Sequence, residues 1–428
     1  MERTEARRGA RVLFITGIII ATRATRALTM ARFEPLVSSP RRRSNFITRE
    51  ELVGMLDRHR AASSEPLKWC ICSGEGGLSY PLPTPAPRFL YRGQTKRHVP
   101  CFPSLLRHIR YPAKYMHQLD AADVASMVAD MAKVYTFFSE LRPHPVVKWA
   151  TRTRVSIEYH EVAQHHGLPT ALLDLSSSLE VAMFFATHDH TEHGGFSPCI
   201  DGRGVLYVVD RKGIPMQQIE RFRSVAIQPF ARPYRQQAWS CELVMGECFE
   251  ECPCLAILEF DHSLELAQLV RERVESRGNL FPTDILSVLA DAVMKTDTLS
   301  RAAIAEVQRT LGKAYPDKTF GPPDELVRRA GYAMTERHAP ILTKGFWEAH
   351  TAALEASLQK WLKAASEHQE RIVVRHNKAG KVMAVGRFTG GLISPDGFEV
   401  VHKAEPLYTG QPVDPGYVAS PTAIVQLR

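Results

Sequence analysis

Residues 178–187 constrain this 428-residue chain more than any other segment, because they are almost entirely apolar. Val181, Phe184 and Phe185 stand among alanines and a methionine. A helix that is apolar on nearly every side must be buried. The serines at 176–178 come directly before it, and any of them could cap the helix N-terminus. The sequence therefore predicts a buried helix over residues 178–187.

Other segments have the patterns of short strands and amphipathic helices. Their β-branched and apolar residues predict strands at Arg88–Tyr91, Val205–Asp210 and Leu255–Phe260. Helical periodicity predicts further helices at about 49–60, 120–141, 155–165, 262–276, 284–295 and 346–370, with a mixed helical region over 299–340. The first helix begins at a capping box formed by Thr48 and Glu51. Period-two alternation from Ile372 predicts short strands in the C-terminal part.

Three sequence blocks resemble the FRG family, which is named for an aromatic-Arg-Gly signature. They are Phe89-Leu90-Tyr91-Arg92-Gly93-Gln94, then Gln164-His165-His166-Gly167-Leu168-Pro169-Thr170-Ala171-Leu172-Leu173-Asp174, then Glu180-Val181-Ala182-Met183-Phe184-Phe185-Ala186. The resemblance covers about residues 86–295. With the predicted elements it implies an α+β fold, in which a mixed sheet has flanking helices and the core is similar to ADP-ribosyltransferases, followed by a β-rich C-terminal appendage.

We expect four regions along the chain. These are a basic, partly disordered extension with a short helix and a linker (1–85), the FRG domain (86–295), a helical region (296–370) and a β-rich tail (371–428). Residues 1–60 hold 13 Arg and 6 acidic residues, a net charge of +7 out of +8 for the chain. Such an arm either binds nucleic acid without specificity or is a solvated leader.

A membrane anchor and a metal site are not predicted. The apolar run Val12–Ala21 is shorter than the about 20 residues needed to span a bilayer. Residues 1–29 are expected to be a weakly structured extension. The eight cysteines lack paired C-x-x-C spacing with partner histidines, so we expect reduced thiols and a cytoplasmic protein. The sequence carries no signal for an oligomeric state.

Arg92 is the first candidate binding residue. An Arg at the end of an apolar strand offers a planar donor fork for phosphate or carboxylate, and Gly93 lets a ligand or a second chain segment approach the backbone. The alternative is a structural pair with Asp174. Further candidates for ligand contact are Tyr91, Gln94, His165, Thr170 and Ser176. For the histidines, contact with the last carbonyls of a helix is the alternative, and for the serines it is capping.

The order of these parts is similar to the arginine-first class of ADP-ribosyltransferases. That similarity implies that NAD is the substrate, that Arg92 holds its phosphates and that Ser176 positions a ribose. It also implies that Gln236 or Glu242 stabilises the ribosyl cation, with Asp174 in the same cleft. The Arg232–Ala238 segment departs from the FRG pattern, since Ala238 stands where Gly is usual. A role as a toxin or defence effector goes with this hypothesis.

Two alternatives belong to other functional classes. The domain could be a non-catalytic module that engages nucleic acid, through the basic arm, or a protein partner. The long helix at 346–370 could pair with a partner, although its apolar face is expected to pack on its own domain. No G-x-G-x-x-G, P-loop or G-x-S-x-G motif supports another cofactor or nucleophile site.

Overall fold

The computed structural model describes residues 44–62, 69–73, 79–83, 87–107, 109, 118–153, 155–191, 195–226, 228–243, 245–252, 254–282, 284–315, 320–336, 340–367, 372–376, 382–388, 393–394, 397–398 and 404–409. Residues 1–43 of the basic arm, which is expected either to bind nucleic acid or to be a solvated leader, lie outside these residues. The division into four regions stays a prediction.

Eighteen strands are formed in the described residues. They are β1 Asn45–Phe46, β2 Trp69–Ser73, β3 Ser79–Pro83, β4 Phe89–Gln94, β5 Leu172–Ser176, β6 His188–His190, β7 Phe196–Pro198, β8 Arg203–Asp210, β9 Phe222–Ser224, β10 Ala238–Glu242, β11 Leu255–Asp261, β12 Thr298–Ser300, β13 Ala333–Thr335, β14 Ile372–His376, β15 Val382–Phe388, β16 Ile393–Ser394, β17 Gly397–Phe398 and β18 Ala404–Thr409. The last five give the predicted β-rich tail its strands.

Eleven α-helices are formed in the same residues. They are α1 Arg49–Ala62, α2 Ala121–Glu140, α3 Pro145–Thr153, α4 Tyr159–His165, α5 Leu179–Thr187, α6 Ala231–Arg235, α7 Leu264–Glu275, α8 Ile285–Met294, α9 Arg301–Ala314, α10 Pro323–Arg329 and α11 Lys344–Glu367. No helix in the described part of the chain has both the length and the apolar character that spanning a bilayer requires.

Seven strands form the central sheet in the order β1-β11-β8-β4-β5-β10-β9. The pair β1/β11 is parallel and the other pairs are antiparallel, so the sheet is mixed and the predicted α+β class is confirmed. One face packs on α1, α5 and α7 through side chains such as Leu206 and Phe260. A second, helical core is built around α2, α8 and α9, and the buried Val128 and Leu289 belong to it.

The sheet is split between two neighbouring strands. Strand β4 pairs with β8 along its whole length, and β5 pairs with β10 along its whole length. Between β4 and β5, only Tyr91 and Ser176 are paired. Beyond that pair, Arg92 and Gly93 diverge from Asp174. Main-chain groups on the facing edges are therefore left for other partners, and a gap opens at the middle of the sheet.

The predicted apolar helix is α5, and it is buried as expected. Ser178 is its N-cap, with Oγ accepting from Val181 N at 3.4 Å. Phe185 is the member of the helix that is only partly buried. Helix α5 packs so closely on β4 that a Cβ added to Gly93 would lie 1.8 Å from the carbonyl oxygen of Ala182. The second chain segment that Gly93 admits is thus the backbone of α5.

Several predicted boundaries differ from the structure. The linker contains the hairpin of β2 and β3. The helix predicted from residue 155 begins at Tyr159, because Val155–Glu158 is an extended, buried run in which Ser156 O accepts from Gln228 Nε2. Helix α3, which begins at Pro145, was not predicted. The region 299–340 contains α9, α10 and a parallel pair of strands, β12 and β13.

The long helix α11 packs on its own chain. Leu358 and Leu362 are buried, and Trp361 contacts the rings of Trp69 and Trp149. Its apolar face is therefore covered in part by α3 and β2, as expected, and offers no argument for partner binding.

Candidate functional site

A cavity of about 830 Å³ opens where β4 and β5 diverge. This volume lies within the range of small-molecule sites in proteins, about 300–1,000 Å³. Its walls come from β4, the end of α4, β5, α5, and the loops that carry Gln236 and Phe281. The polar groups in the walls include Arg92, Asp174 and His165.

Most of the residues that the sequence nominated line this one cavity. They are Tyr91, Arg92, Gly93, Gln94, His165, Asp174, Ser176 and Gln236. Thr170 and Glu242 are not among the lining residues. The split sheet thus brings together groups that lie up to 145 positions apart in the sequence.

Arg92 spans the gap between the split strands. Its Nη1 donates to the main-chain oxygen of Asp174 at 2.8 Å, which satisfies a carbonyl that β4 no longer pairs. Its Nε is buried and has no hydrogen-bond partner in the described part of the chain. The predicted structural alternative, a pair with the Asp174 carboxylate, is replaced by this main-chain contact. The guanidinium charge has no carboxylate within ion-pair distance in the described residues.

A second cavity of about 540 Å³ adjoins the first and adds positive charge. The two share Gln94 and His98 in their walls. Arg97 and Arg107 line the second, where Arg97 is paired with Glu250 and Glu259 and the added positive charge is that of Arg107. Burial, together with the charge of Arg92, lowers the pKa of Arg107. Burial and the neighbouring Lys96 lower the pKa of His98. Arg92 and Arg107 therefore lie close enough for their positive charges to repel each other.

Thr170 does not line the cavity but supports the cavity wall through hydrogen bonds. Its Oγ1 accepts from Leu172 N at 3.2 Å and donates to Gln164 Oε1. Gln164 Nε2 then donates to Asp174 Oδ2 at 3.1 Å. The Gln-His-x-Gly-Leu-Pro-Thr segment therefore positions the carboxylate of Asp174 through Gln164, a residue that sequence reasoning did not nominate.

Gln236 contacts His165. Its Oε1 lies 3.0 Å from His165 Nδ1, and its Nε2 donates to Leu280 O at 3.3 Å. Burial lowers the pKa of His165. The adjacent His166 is the helix C-terminal residue that was expected, with Nδ1 2.8 Å from Val162 O. Both amide atoms of Gln236 are used within the protein, so this side chain positions His165.

The serines before α5 form hydrogen bonds with the main chain of Gln236 and Gln237. Ser176 Oγ donates to Gln236 O at 2.7 Å and accepts from Ser178 N at 2.9 Å. Ser177 N donates to Gln237 O at 3.1 Å. Gln237 has φ of 44°, in the left-handed region, and this turn presents both carbonyls to the serines.

Glu242 lies at the far end of β10, opposite Leu172. It is buried, and its Oε2 is 3.0 Å from Arg223 Nη2. The other terminal nitrogen of Arg223 pairs with Glu161. The sequence spacing placed Glu242 near Gln236, but six residues along a strand move it well away from the cavity. Its contacts make it a structural partner of Arg223.

Aromatic rings form a wall that sequence reasoning missed. Phe196 and Phe281 are stacked with ring centroids 4.4 Å apart, and Phe185 meets Phe281 edge-on at 5.7 Å. The guanidinium of Arg232 lies 5.5 Å over the Phe281 ring. The Gly-Asn-Leu-Phe-Pro segment at 278–282, a fainter match to the FRG pattern after a predicted helix, was the available signal for Phe281.

The comparisons with known proteins give one result. The family model of the FRG domain matches residues 87–194, so the chain carries an FRG domain. The match includes Arg92, His165 and Asp174, whereas Gln236 and Phe281 lie beyond it. Neither the curated proteins nor the solved structures gave a match to the chain. Among the described residues, no group of three or more His, Cys, Asp or Glu is placed to hold a metal ion.

Proposed function

We propose that the FRG domain of this chain binds NAD in the cavity between β4 and β5 and transfers ADP-ribose from it. The observation that carries the proposal is the convergence of Arg92, Asp174 and Gln236 on one cavity of about 830 Å³. These residues belong to three separate segments. Their convergence supports a ligand site more directly than any single motif does.

Arg92 is the proposed phosphate clamp. One terminal nitrogen is occupied by Asp174 O, the Cys101 thiol is within hydrogen-bond reach of the guanidinium, and Arg92 lines the cavity together with Gln94 and His98. Its charge is not neutralised by a carboxylate in the described residues. A buried guanidinium with unused donors binds phosphate oxygens strongly. The neighbouring Arg107 adds to the positive potential.

The aromatic wall supports a ligand with a planar base. Phe185 and Phe281 line the cavity, and a nicotinamide or adenine ring can pack against such faces. Helix α5 lies between this aromatic wall and Arg92. Its residues Val181 and Ala182 also line the cavity. A base at one end and phosphates at the other are the parts of a nucleotide.

Asp174 is the proposed anion for the chemical step. In ADP-ribose transfer, the bond between nicotinamide nitrogen and ribose C1′ breaks, and its electron pair leaves with nicotinamide. The acceptor nucleophile then bonds to C1′ and loses its proton. A carboxylate beside the ribose stabilises the positive charge that develops at C1′. Gln236 supports this step by positioning His165, and Glu242 is not part of it.

The test measures nicotinamide release and NAD affinity for the full chain. Arg92→Ala removes the clamp, so we expect NAD affinity at least about tenfold weaker, with turnover lost to a similar degree. Arg203→Ala is the matched control, since Arg203 is an exposed arginine of β8 in the same sheet that pairs with surface Asp261 and lies over the exposed ring of Phe46. Circular dichroism checks both folds. An Arg92→Ala protein that binds and turns over NAD like the wild type would remove Arg92 from the site.

A second candidate function is binding without catalysis. It is favoured by Gln236, whose amide is fully used within the protein, and by Glu242, which is committed to Arg223. On this hypothesis the wild type binds NAD and releases no nicotinamide. A salt-dependent shift of RNA or DNA by the full chain would add the basic arm to the binding surface.

A further inference from the structure

Two acceptor atoms face each other in the wall of the cavity. His165 Nε2 lies 3.6 Å from Asp174 Oδ1. Neither atom has a hydrogen-bond partner in the part of the chain that the structure describes, and both are shielded from water. The His165 side chain is 3% exposed, whereas that of Asp174 is 40% exposed. Unsatisfied buried acceptors are rare in native proteins, so this pair requires an explanation.

The proton on His165 is fixed by its neighbours. Gln236 Nε2 donates to Leu280 O, so the amide must present Oε1 to the imidazole. An amide oxygen only accepts, and therefore His165 Nδ1 carries the hydrogen. In the neutral ring, Nε2 then has a lone pair. Burial favours this neutral ring, although the Asp174 charge opposes that effect.

The carboxylate of Asp174 is oriented by a second chain of hydrogen bonds. Ser104 Oγ accepts from Thr170 N, and its hydroxyl is therefore free to donate to Gln164 Oε1. Thr170 Oγ1 donates to the same oxygen. A carboxylate oxygen only accepts, so Gln164 presents Nε2 to Asp174 Oδ2, which leaves Oδ1 as the free oxygen.

Both lone pairs therefore point toward the same small region. The separation of 3.6 Å is too long for a direct hydrogen bond, and the neutral imidazole has no proton to share. Folding has already removed these two acceptors from water, so the protein bears their desolvation cost before any ligand binds. A ligand hydroxyl carries one hydrogen, and it can share that hydrogen between both acceptors without a further desolvation cost on the protein side.

We propose that His165 Nε2 and Asp174 Oδ1 form one acceptor pair for a hydroxyl group of the nicotinamide ribose. This inference rests on the proposed function. A neutral hydroxyl fits better than an ammonium group, because the Arg92 guanidinium binds the main chain of the same Asp174. His165 and Asp174 both line the cavity, and the Asp174 side chain is 40% exposed, so the hydroxyl reaches the pair from the cavity side. His165 is thus a binding residue, and Gln236 and Gln164 are positioning residues.

The test compares NAD with two analogues that lack the 2′- or the 3′-hydroxyl of the nicotinamide ribose. Dissociation constants are measured by calorimetry on the full chain. We expect one analogue to bind the wild type about tenfold or more weakly than NAD. His165→Asn keeps a donor for Gln236 and deletes Nε2, so it should bind NAD and that analogue with nearly equal affinity.

Two further variants make the result independent of folding defects. His160→Asn is the matched control, since His160 lies in the same helix, has an unpartnered Nε2 and is not among the cavity residues. It should keep the wild-type preference for NAD. Asp174→Asn can donate its amide to His165 Nε2, so it should fold as well as the wild type and lose the preference.

The outcomes separate the two proposals. If the wild type binds NAD and both analogues equally, the acceptor pair is refuted while the NAD site stands. The same holds if His165→Asn and Asp174→Asn both retain the wild-type preference. If the wild type binds none of the three ligands, the proposed function fails and this inference fails with it.

Discussion

Gln164 and Gln236 determine what His165 and Asp174 can do. Gln164 presents Nε2 to the Asp174 carboxylate, which only accepts, and its Oε1 accepts from Thr170. Gln236 presents Nε2 to Leu280 O, which also only accepts, so its Oε1 is left to accept from His165. Arg92 and Gly93 could be singled out from sequence, because their chemistry is intrinsic. The roles of the two glutamines could not, because they depend on contacts with residues 6 and 44 positions away.

His144 gives the fold a measurable pH dependence. It is buried, and its Nδ1 accepts from Val146 N at 3.1 Å, which caps α3. Burial lowers its pKa to about 4 from an ordinary value near 6.5. A lowered pKa means that the stabilisation is complete above about pH 6.5 and is lost as the pH falls toward 4. At pH 5 this single group should destabilise the protein by about 2 kcal/mol relative to pH 7.

The measurement is urea unfolding at pH 7 and pH 5. His144→Asn keeps a side-chain acceptor for Val146 N and cannot titrate, so its free energy of unfolding should fall by about 2 kcal/mol less than that of the wild type. Other histidines titrate equally in both proteins. Identical losses in the two proteins would show that His144 is not a buried neutral cap.

At the scale of elements, local chemistry predicted the helix starts well. Thr48 and Glu51 form the reciprocal hydrogen bonds of a capping box, and Asp120 and Ser178 cap their helices. Caps are readable because they involve residues three positions apart. Helix α3 was missed because its cap is a histidine, and β3 was missed, together with its partner β2, because prolines interrupt the pattern of β3.

The contact between β4 and α5 predicts a strong effect of one methyl group. In Gly93→Ala the new Cβ would lie 1.8 Å from Ala182 O and 2.8 Å from Ala186 N, and these are helix backbone atoms that cannot rotate away. We expect destabilisation by about 3 kcal/mol or more, measured by urea unfolding, with loss of ligand binding as α5 moves off the sheet.

Gly312→Ala is the control for that substitution. Gly312 lies in α9, and a Cβ there would meet no atom within 4 Å. Alanine in a helix should stabilise the protein by about 0.5–1 kcal/mol. A Gly93→Ala protein as stable as the wild type would mean that α5 and β4 are not packed this closely.

For the whole molecule, the decisive feature is the split between β4 and β5. Strands β4, β8 and β11 and the buried helix were predictable from local patterns, and the α+β class followed from these elements together with the family resemblance. The split was not, since β4 and β5 are 78 residues apart and their separation is set by Arg92 bridging to Asp174 O. For the same reason, the spacing of Glu242 from Gln236 was misleading. Glu242 is the last residue of β10, so it lies away from the cavity and beside Arg223.

A crystal structure of the full chain grown with NAD tests the central claim most directly. We predict ligand phosphates within hydrogen-bond distance of the Arg92 guanidinium, a base against Phe185 or Phe281, and a ribose hydroxyl between His165 Nε2 and Asp174 Oδ1. A ligand bound elsewhere on the protein, with Arg92 still held only by Asp174 O, would contradict the assignment of this cavity as the nucleotide site.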